Sequence, residues 1–134
     1  MTGRAEYFYL PEFQSLDQQR ALQVFQEAIV KECDVWVLVK EGAILGFLAM
    51  KGASIDRLYV KLTSQRRGVG AELLRFARAL YPGGLSLHTH QQNFRARRFY
   101  EQQGFLPIRF GLSPAPESVP DVEYRWAGQR PARA

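Results

Sequence analysis

Apolar and polar positions follow two different periods along this chain, and the switches between them mark its elements. Over residues 16–32, Leu22, Phe25 and Ile29 share one face, with Ala21, Val24 and Ala28 beside it, which is the three-and-four spacing of an amphipathic helix. Asp17 or Ser15 is a candidate cap for its start. The period then changes. Val35-Trp36-Val37-Leu38-Val39 is an unbroken apolar run closed by Glu41-Gly42, the pattern of a buried strand entering a tight turn. A second run, Ile44-Leu45-Gly46-Phe47-Leu48-Ala49-Met50, follows at hairpin distance, Gly52 breaks it, and residues 55–60 predict a third strand.

Helical spacing returns after Gly70. Val69, Leu73, Phe76, Ala77 and Leu80 line one face, Arg75 and Arg78 fall on the other, and Pro82-Gly83-Gly84 stops the helix. Residues 85–90 read as a strand, with Leu85, Leu87 and Thr89 on one side and Ser86, His88 and His90 on the other. Residues 93–103 read as a helix ended by Gly104. Residues 105–112 and 119–126 read as two further strands joined by a Pro-rich loop. The first fifteen residues are ambiguous; Tyr7-Phe8-Tyr9-Leu10, stopped by Pro11, fits a short strand. Residues 127–134 read as a frayed, flexible tail. The order of elements predicts an α/β domain over residues 1–126, with a mixed, mostly antiparallel central sheet and helices on both faces.

Composition narrows the class. The 134 residues suit one core, and 46% hydrophobic content argues against global disorder. No apolar run approaches the roughly 20 residues that cross a bilayer, and the first six residues carry no apolar leader core. Membrane partners and secretion are therefore not expected. Cys33 is the one cysteine, so no internal disulfide forms, which fits a reducing cytoplasm. The net charge of +5 is carried mostly by arginine. The arginines fall beside two helix starts, Arg66 and Arg67 at one and Arg95, Arg97 and Arg98 at the other. With no basic tail, that grouping points to a discrete anionic ligand and away from nucleic acid.

The densest chemistry is Gln65-Arg66-Arg67-Gly68-Val69-Gly70, between a strand and a helix. A glycine-bearing turn that opens a helix aims several N–H groups at one point, and the helix dipole adds positive charge there. That is a socket for a phosphorylated ligand. Downstream, Asn93, Ala96 (or Arg97) and Tyr100 share a helical face by the three-and-four spacing. They offer an amide, a gap and a phenol. A packed core helix with Asn93 as its cap satisfies the same spacing.

The first run fits Q/R-x-x-G-x-G/A. Asn93-Phe94-Arg95-Ala96-Arg97-Arg98-Phe99-Tyr100-Glu101-Gln102-Gln103-Gly104-Phe105 fits N-x-x-A-x-x-F-Y-x-x-x-G-F. In both runs, in this order, the chain resembles the GNAT superfamily of N-acetyltransferases over residues 16–126. The resemblance implies acetyl-CoA as co-substrate, with an amine of a small molecule or a protein attacking its thioester directly. It implies a slot between the strands at residues 55–60 and 85–90, with backbone groups of Leu58, Tyr59 and Val60 bonding the pantetheine amides. Backbone N–H groups from Arg66 through Ala71 would hold the pyrophosphate. Asn93 and Ala96 would contact the cofactor, and Tyr100 would protonate the departing thiolate.

The acceptor amine must lose a proton before it attacks. The family usually places a glutamate for this on one of the two slot strands, and this sequence has none in either. Asp56 on the first and His88 on the second are the candidates; a salt-bridged aspartate and a structural histidine are the plainer readings. His88 and His90 share a strand face, but no third ligand stands at metal-site spacing, so no metal is expected. Glu101 is expected to point outward.

Relative to the family pattern, the first strand–helix unit reads as missing or reduced to residues 7–10. An exposed sheet edge would result, and a second copy of the chain, giving a homodimer, is the expected cover. A non-catalytic acyl-CoA-binding module without an acceptor site is the alternative function.

Overall fold

The computed structural model describes the backbone of residues 5–9 together with residues 33–61, 65 and 67–129. The helix expected over 16–32 and Arg66 lie outside the described residues. The chain divides into two compact units, Met1–Ala77 and Arg78–Ala134.

The first unit is built on four antiparallel strands in the order β1-β2-β3-β4: β1 (Ala5–Tyr9), β2 (Asp34–Lys40), β3 (Ala43–Lys51) and β4 (Ser54–Val60). The expected short strand near the start is therefore present, reduced to five residues, and it pairs along its length with β2. The edge of β2 that seemed open in the sequence is covered by the chain itself. Glu41 and Gly42, at φ 53° and 78°, turn β2 into β3. Two successive positive φ values match the twist of a two-residue hairpin.

Burial explains why these runs are apolar throughout. Val37 and Leu38 point to opposite faces of β2, and both are fully buried. A strand covered on both faces has no polar alternation to show. One face is filled by Val35, Val37, Val39, Ile44, Phe47 and Ala49, with Cys33 and Tyr59 packed against them. On the other, helix α1 (Val69–Leu80) buries Val69, Leu73, Leu74 and Ala77, and Phe76 meets the Trp36 ring edge-on at 5.8 Å.

The second unit holds a three-stranded antiparallel sheet in the order β5-β7-β6: β5 (Leu85–His90), β6 (Leu106–Leu112) and β7 (Pro120–Trp126). Helix α2 (Phe94–Gln102) lies between β5 and β6 in sequence. Leu85, Leu87, Phe105, Val122 and Tyr124 form its core. Residues 127–129, expected to fray, instead return to the turn after α1: Gln129 N–H donates to Pro82 O at 3.0 Å. Arg78, placed on the polar face of its helix by sequence, lies over the Trp126 ring at 5.6 Å and donates to Gln103 O at 3.4 Å.

No helix among the described residues is long and apolar enough to cross a membrane. The described residues also contain no cluster of three or more metal-ligating side chains.

Candidate functional site

In the first unit the site residues follow one another from β4 into α1. The pairing of β4 with β3 runs Ile55↔Met50 and then Arg57↔Ala49, so Asp56 is the extra residue of a bulge. Sequence alternation groups Asp56 with Leu58 and Val60. The bulge shifts that register, and Ile55 is the residue in step with Leu58 and Val60. Asp56 is half-buried, with its Oδ2 shielded from solvent.

Leu58, Tyr59 and Val60 complete the strand, all half-buried. Gly46 stands opposite Val60 on β3. A Cβ there would run into the Tyr59 carbonyl oxygen, well inside van der Waals contact, and would meet Leu73 Cδ1 at 3.3 Å. The glycine lets β3, β4 and α1 close on one another, which sequence reading alone did not single out. At the end of β4, Gln65 Nε2 donates to Val60 O at 3.3 Å and ties the turn back to the strand.

The turn then opens α1. Gly68 sits at φ 80°, a conformation glycine adopts freely, and the space where a Cβ would stand is open. The first bond into the helix runs from Glu72 N–H to Gly68 O at 3.0 Å. The N–H groups of Val69, Gly70 and Ala71 precede it and have no acceptor within the helix. Exposed Arg67 adds positive charge beside them. Donors left free by the helix at the positive end of its dipole, beside a guanidinium, suit an anionic phosphate group.

In the second unit, α2 carries the other signature. Asn93 caps the helix, its Oδ1 accepting from Ala96 N–H at 3.1 Å. Tyr100, two turns on, is walled by the rings of Phe99, Phe105 and Tyr124, with centroids at 5.2, 5.8 and 6.3 Å. Burial pushes its phenol up to about 12, so it remains protonated at any physiological pH. Glu101, expected to point outward, accepts a hydrogen bond from the buried Tyr124 hydroxyl. Arg97 donates to the same hydroxyl at 3.0 Å and lies over the Phe110 ring at 5.4 Å. Burial and the Glu101 carboxylate hold the Tyr124 phenol above its usual range. The outer face of α2 borders an open groove of about 800 Å³ lined by Phe94, Arg95, Arg97, Arg98, Glu101 and Gln102.

His88 is exposed on β5, directly across from Glu123 on β7. Its Nε2 stands 3.8 Å from Glu123 Oε1. Arg109 Nη1 and Arg125 Nη2 approach the same carboxylate at 3.9 and 4.0 Å. Glu123 is absent from the sequence-based candidates, because its neighbour is fixed by pairing between strands more than thirty residues apart in the chain.

Comparison with known proteins decides the family. The acetyltransferase (GNAT) domain family matches residues 31–107. The chain belongs to the GNAT acetyltransferases. A curated relative, the peptidyl-lysine N-acetyltransferase YiaC of Escherichia coli, is 31% identical over 85 residues. That match covers 63% of this chain and 58% of the relative's length. Among solved structures, apo YjaB from Escherichia coli matches with a TM-score of 0.67 at 24% identity, over 89% of this chain and 82% of that one. A GNAT family acetyltransferase from Elizabethkingia anophelis with acetyl-CoA bound matches with a TM-score of 0.69 at 11% identity, over 92% and 97%. At these identities the structures speak for the fold, and the fold is the α/β GNAT fold that the sequence predicts.

Proposed function

We propose that this GNAT protein moves the acetyl group of acetyl-CoA to a primary amine by direct attack. The observation that most supports this is the turn at Gly68, which delivers the chain into α1 with the N–H groups of Val69, Gly70 and Ala71 unclaimed by the helix. In this reading Gln65, Arg66 and Arg67 complete the pyrophosphate-binding segment. The β4 backbone at Leu58, Tyr59 and Val60 takes the pantetheine amides, and Asn93 and Ala96 contact the cofactor from α2. Residues 1–126 act as one acetyltransferase domain in the cytoplasm.

The proposed acceptor is a lysine side chain of a peptide or protein, the substrate class carried in the name of the Escherichia coli relative YiaC. A lysine-like amine titrates near about 10.4, so a base must remove a proton before attack. Asp56 and His88 are the residues proposed for it. The amine nitrogen then bonds to the thioester carbon, the carbon–sulfur bond breaks, and the sulfur leaves as thiolate. Tyr100 is the residue proposed to offer a proton to that step, and burial makes it hold that proton tightly. Full transfer from a phenol near about 12 to a thiolate whose acid titrates near about 8.5 costs about 5 kcal/mol. Tyr100 therefore acts chiefly as a hydrogen-bond donor to the departing sulfur, and solvent or the acid form of the base completes protonation.

Thiol release from acetyl-CoA across a panel of lysine peptides and small amines tests the proposal. Turnover with a peptide supports it; saturable cofactor binding with no turnover for any amine assigns the chain to the non-catalytic alternative. A homodimer remains part of the reading, but at a different edge. β1 already covers β2, whereas Leu106, Ile108, Phe110 and Leu112 on the edge strand β6 are 47–68% exposed. Light scattering checks this: a dimer is expected, and a monodisperse monomer at high concentration removes it.

A further inference from the structure

The outer face of α2 carries more positive charge than the fold uses. Phe94, Arg98 and Glu101 follow one another by the three-and-four spacing of a helix, with Arg95 and Gln102 beside them. Together with Arg97 they line the groove of about 800 Å³, which lies wholly inside the second unit. Arg97 is engaged, donating to the Tyr124 hydroxyl at 3.0 Å and to Gln91 O at 3.1 Å. Glu101, the one acid on α2, accepts from the same hydroxyl. Arg95 and Arg98 are exposed, and neither has a hydrogen bond or an ion pair among the described residues. With its own carboxylate turned to Tyr124, α2 offers these two guanidiniums no counter-ion. Phe94, 71% exposed, stands beside them, and Arg97 borders the exposed Phe110 ring on β6.

We propose that this groove is a docking site for an acidic segment of a partner polypeptide. Arg95 and Arg98 each pair with a carboxylate of that segment, and Phe94 seats an apolar side chain beside them. The inference goes beyond acetyl transfer and does not depend on it. Charge complementarity carries it, since the groove holds two uncompensated cations while its single carboxylate is already hydrogen-bonded. A guanidinium meets a carboxylate through two parallel bonds, which an ammonium cannot do. No lysine follows Lys61 in the chain, so the second unit has only arginine for this work. Arginine beside an exposed aromatic ring is also the composition of protein interfaces, and a large ring left in water gains by being covered. A nucleic acid is the poorer match. A duplex presents a charge about every 1.7 Å along its axis, whereas here two guanidiniums stand three residues apart on one short helix with Glu101 in the same groove.

The test titrates a fluorescent peptide that alternates glutamate with leucine against the full chain at low salt and reads anisotropy. Saturable binding is expected, and the same peptide with glutamine for glutamate should not bind. Arg95→Gln with Arg98→Gln is expected to weaken binding roughly ten-fold, as for two exposed ion pairs, and Phe94→Ala several-fold. Lys51→Gln with Arg75→Gln removes the same charge from exposed positions of the first unit and should leave the affinity at the wild-type level. Amide shifts in the wild-type protein give a second reading that needs no variant: the peptide should move resonances along α2 and its neighbours on β6. Absent binding, equal losses in the two double variants, or shifts that spare α2 each overturn the proposal. Tighter binding of a single-stranded oligonucleotide of equal charge overturns it in favour of nucleic acid. Displacement of the peptide by acetyl-CoA overturns it by giving the face to the cofactor.

Discussion

Gly46 on β3 lies so close to the carbonyl of Tyr59 on β4 that no side chain fits between them. The same strand backbone is proposed to bond the pantetheine arm, so packing within the first unit sets where its carbonyls stand. Gly46→Ala must push β4, α1 or both aside. Overpacking of this kind costs about 1–3 kcal/mol. The expected outcome is a lower Tm together with weaker acetyl-CoA binding, read by thermal denaturation and calorimetry. Unchanged affinity would separate Gly46 from the cofactor site.

Gly68 presents the converse case. Open space surrounds it, and only its backbone conformation, φ 80°, resists a side chain. Gly68→Ala therefore costs about 1–2 kcal/mol of backbone strain. Its larger effect is expected on acetyl-CoA affinity, because a Cβ there crowds the approach to the first N–H groups of α1. A variant with normal affinity and a normal fold would show that the turn is no socket.

Tyr100→Phe keeps the ring cluster with Phe99, Phe105 and Tyr124 and removes only the hydroxyl. Acetyl-CoA affinity should hold, while kcat drops by an order of magnitude or more. Unchanged kcat would retire the proposed role.

The same residue makes a pH prediction. Its folded value of about 12 lies above the unfolded value near 10, so the folded state keeps a proton that the unfolded chain loses. The stabilising contribution is complete below pH 10 and is lost as pH rises toward 12, amounting to about 3 kcal/mol. Urea unfolding at pH 9 and near pH 12 should show wild type losing more stability than Tyr100→Phe. Equal losses would contradict the assigned burial.

Gly128 tests the far end of the second unit. At φ 93°, its missing Cβ would lie 2.7 Å from Gly83 C and 2.8 Å from Pro82 O. Gly128→Ala should lower Tm by several degrees, since both strain and overlap oppose it. Acetyl-CoA affinity should not change. A variant as stable as wild type would mean that the segment after β7 does not hold the turn.

Local signals carried most of what the sequence revealed. The strand runs at residues 35–39, 44–50 and 85–90 and both helices beside the signatures stand within about two residues of their predicted bounds, because periodicity, the Asn93 cap and the glycine stops act over a few positions. The Gly68 turn was legible for the same reason. Features that arise from pairing at a distance were not. The bulge at Asp56 depends on how β4 meets β3, and no single strand records its register. Glu123 reads in sequence as one more polar residue on an alternating strand; only the joining of β5, β7 and β6 puts it beside His88 and two arginines. Glu101 was misplaced because helical spacing gives a face but not the Tyr124 hydroxyl waiting there.

The most direct measurement is calorimetric titration of the purified protein with acetyl-CoA, paired with a thermal melt at saturation. A grip by the Gly68 turn and the start of α1 predicts one saturable site per chain. It also predicts a melt shifted upward, with stabilisation of about 2.7 kcal/mol at roughly a hundred-fold excess over Kd. No heat and no shift would contradict the account at its root.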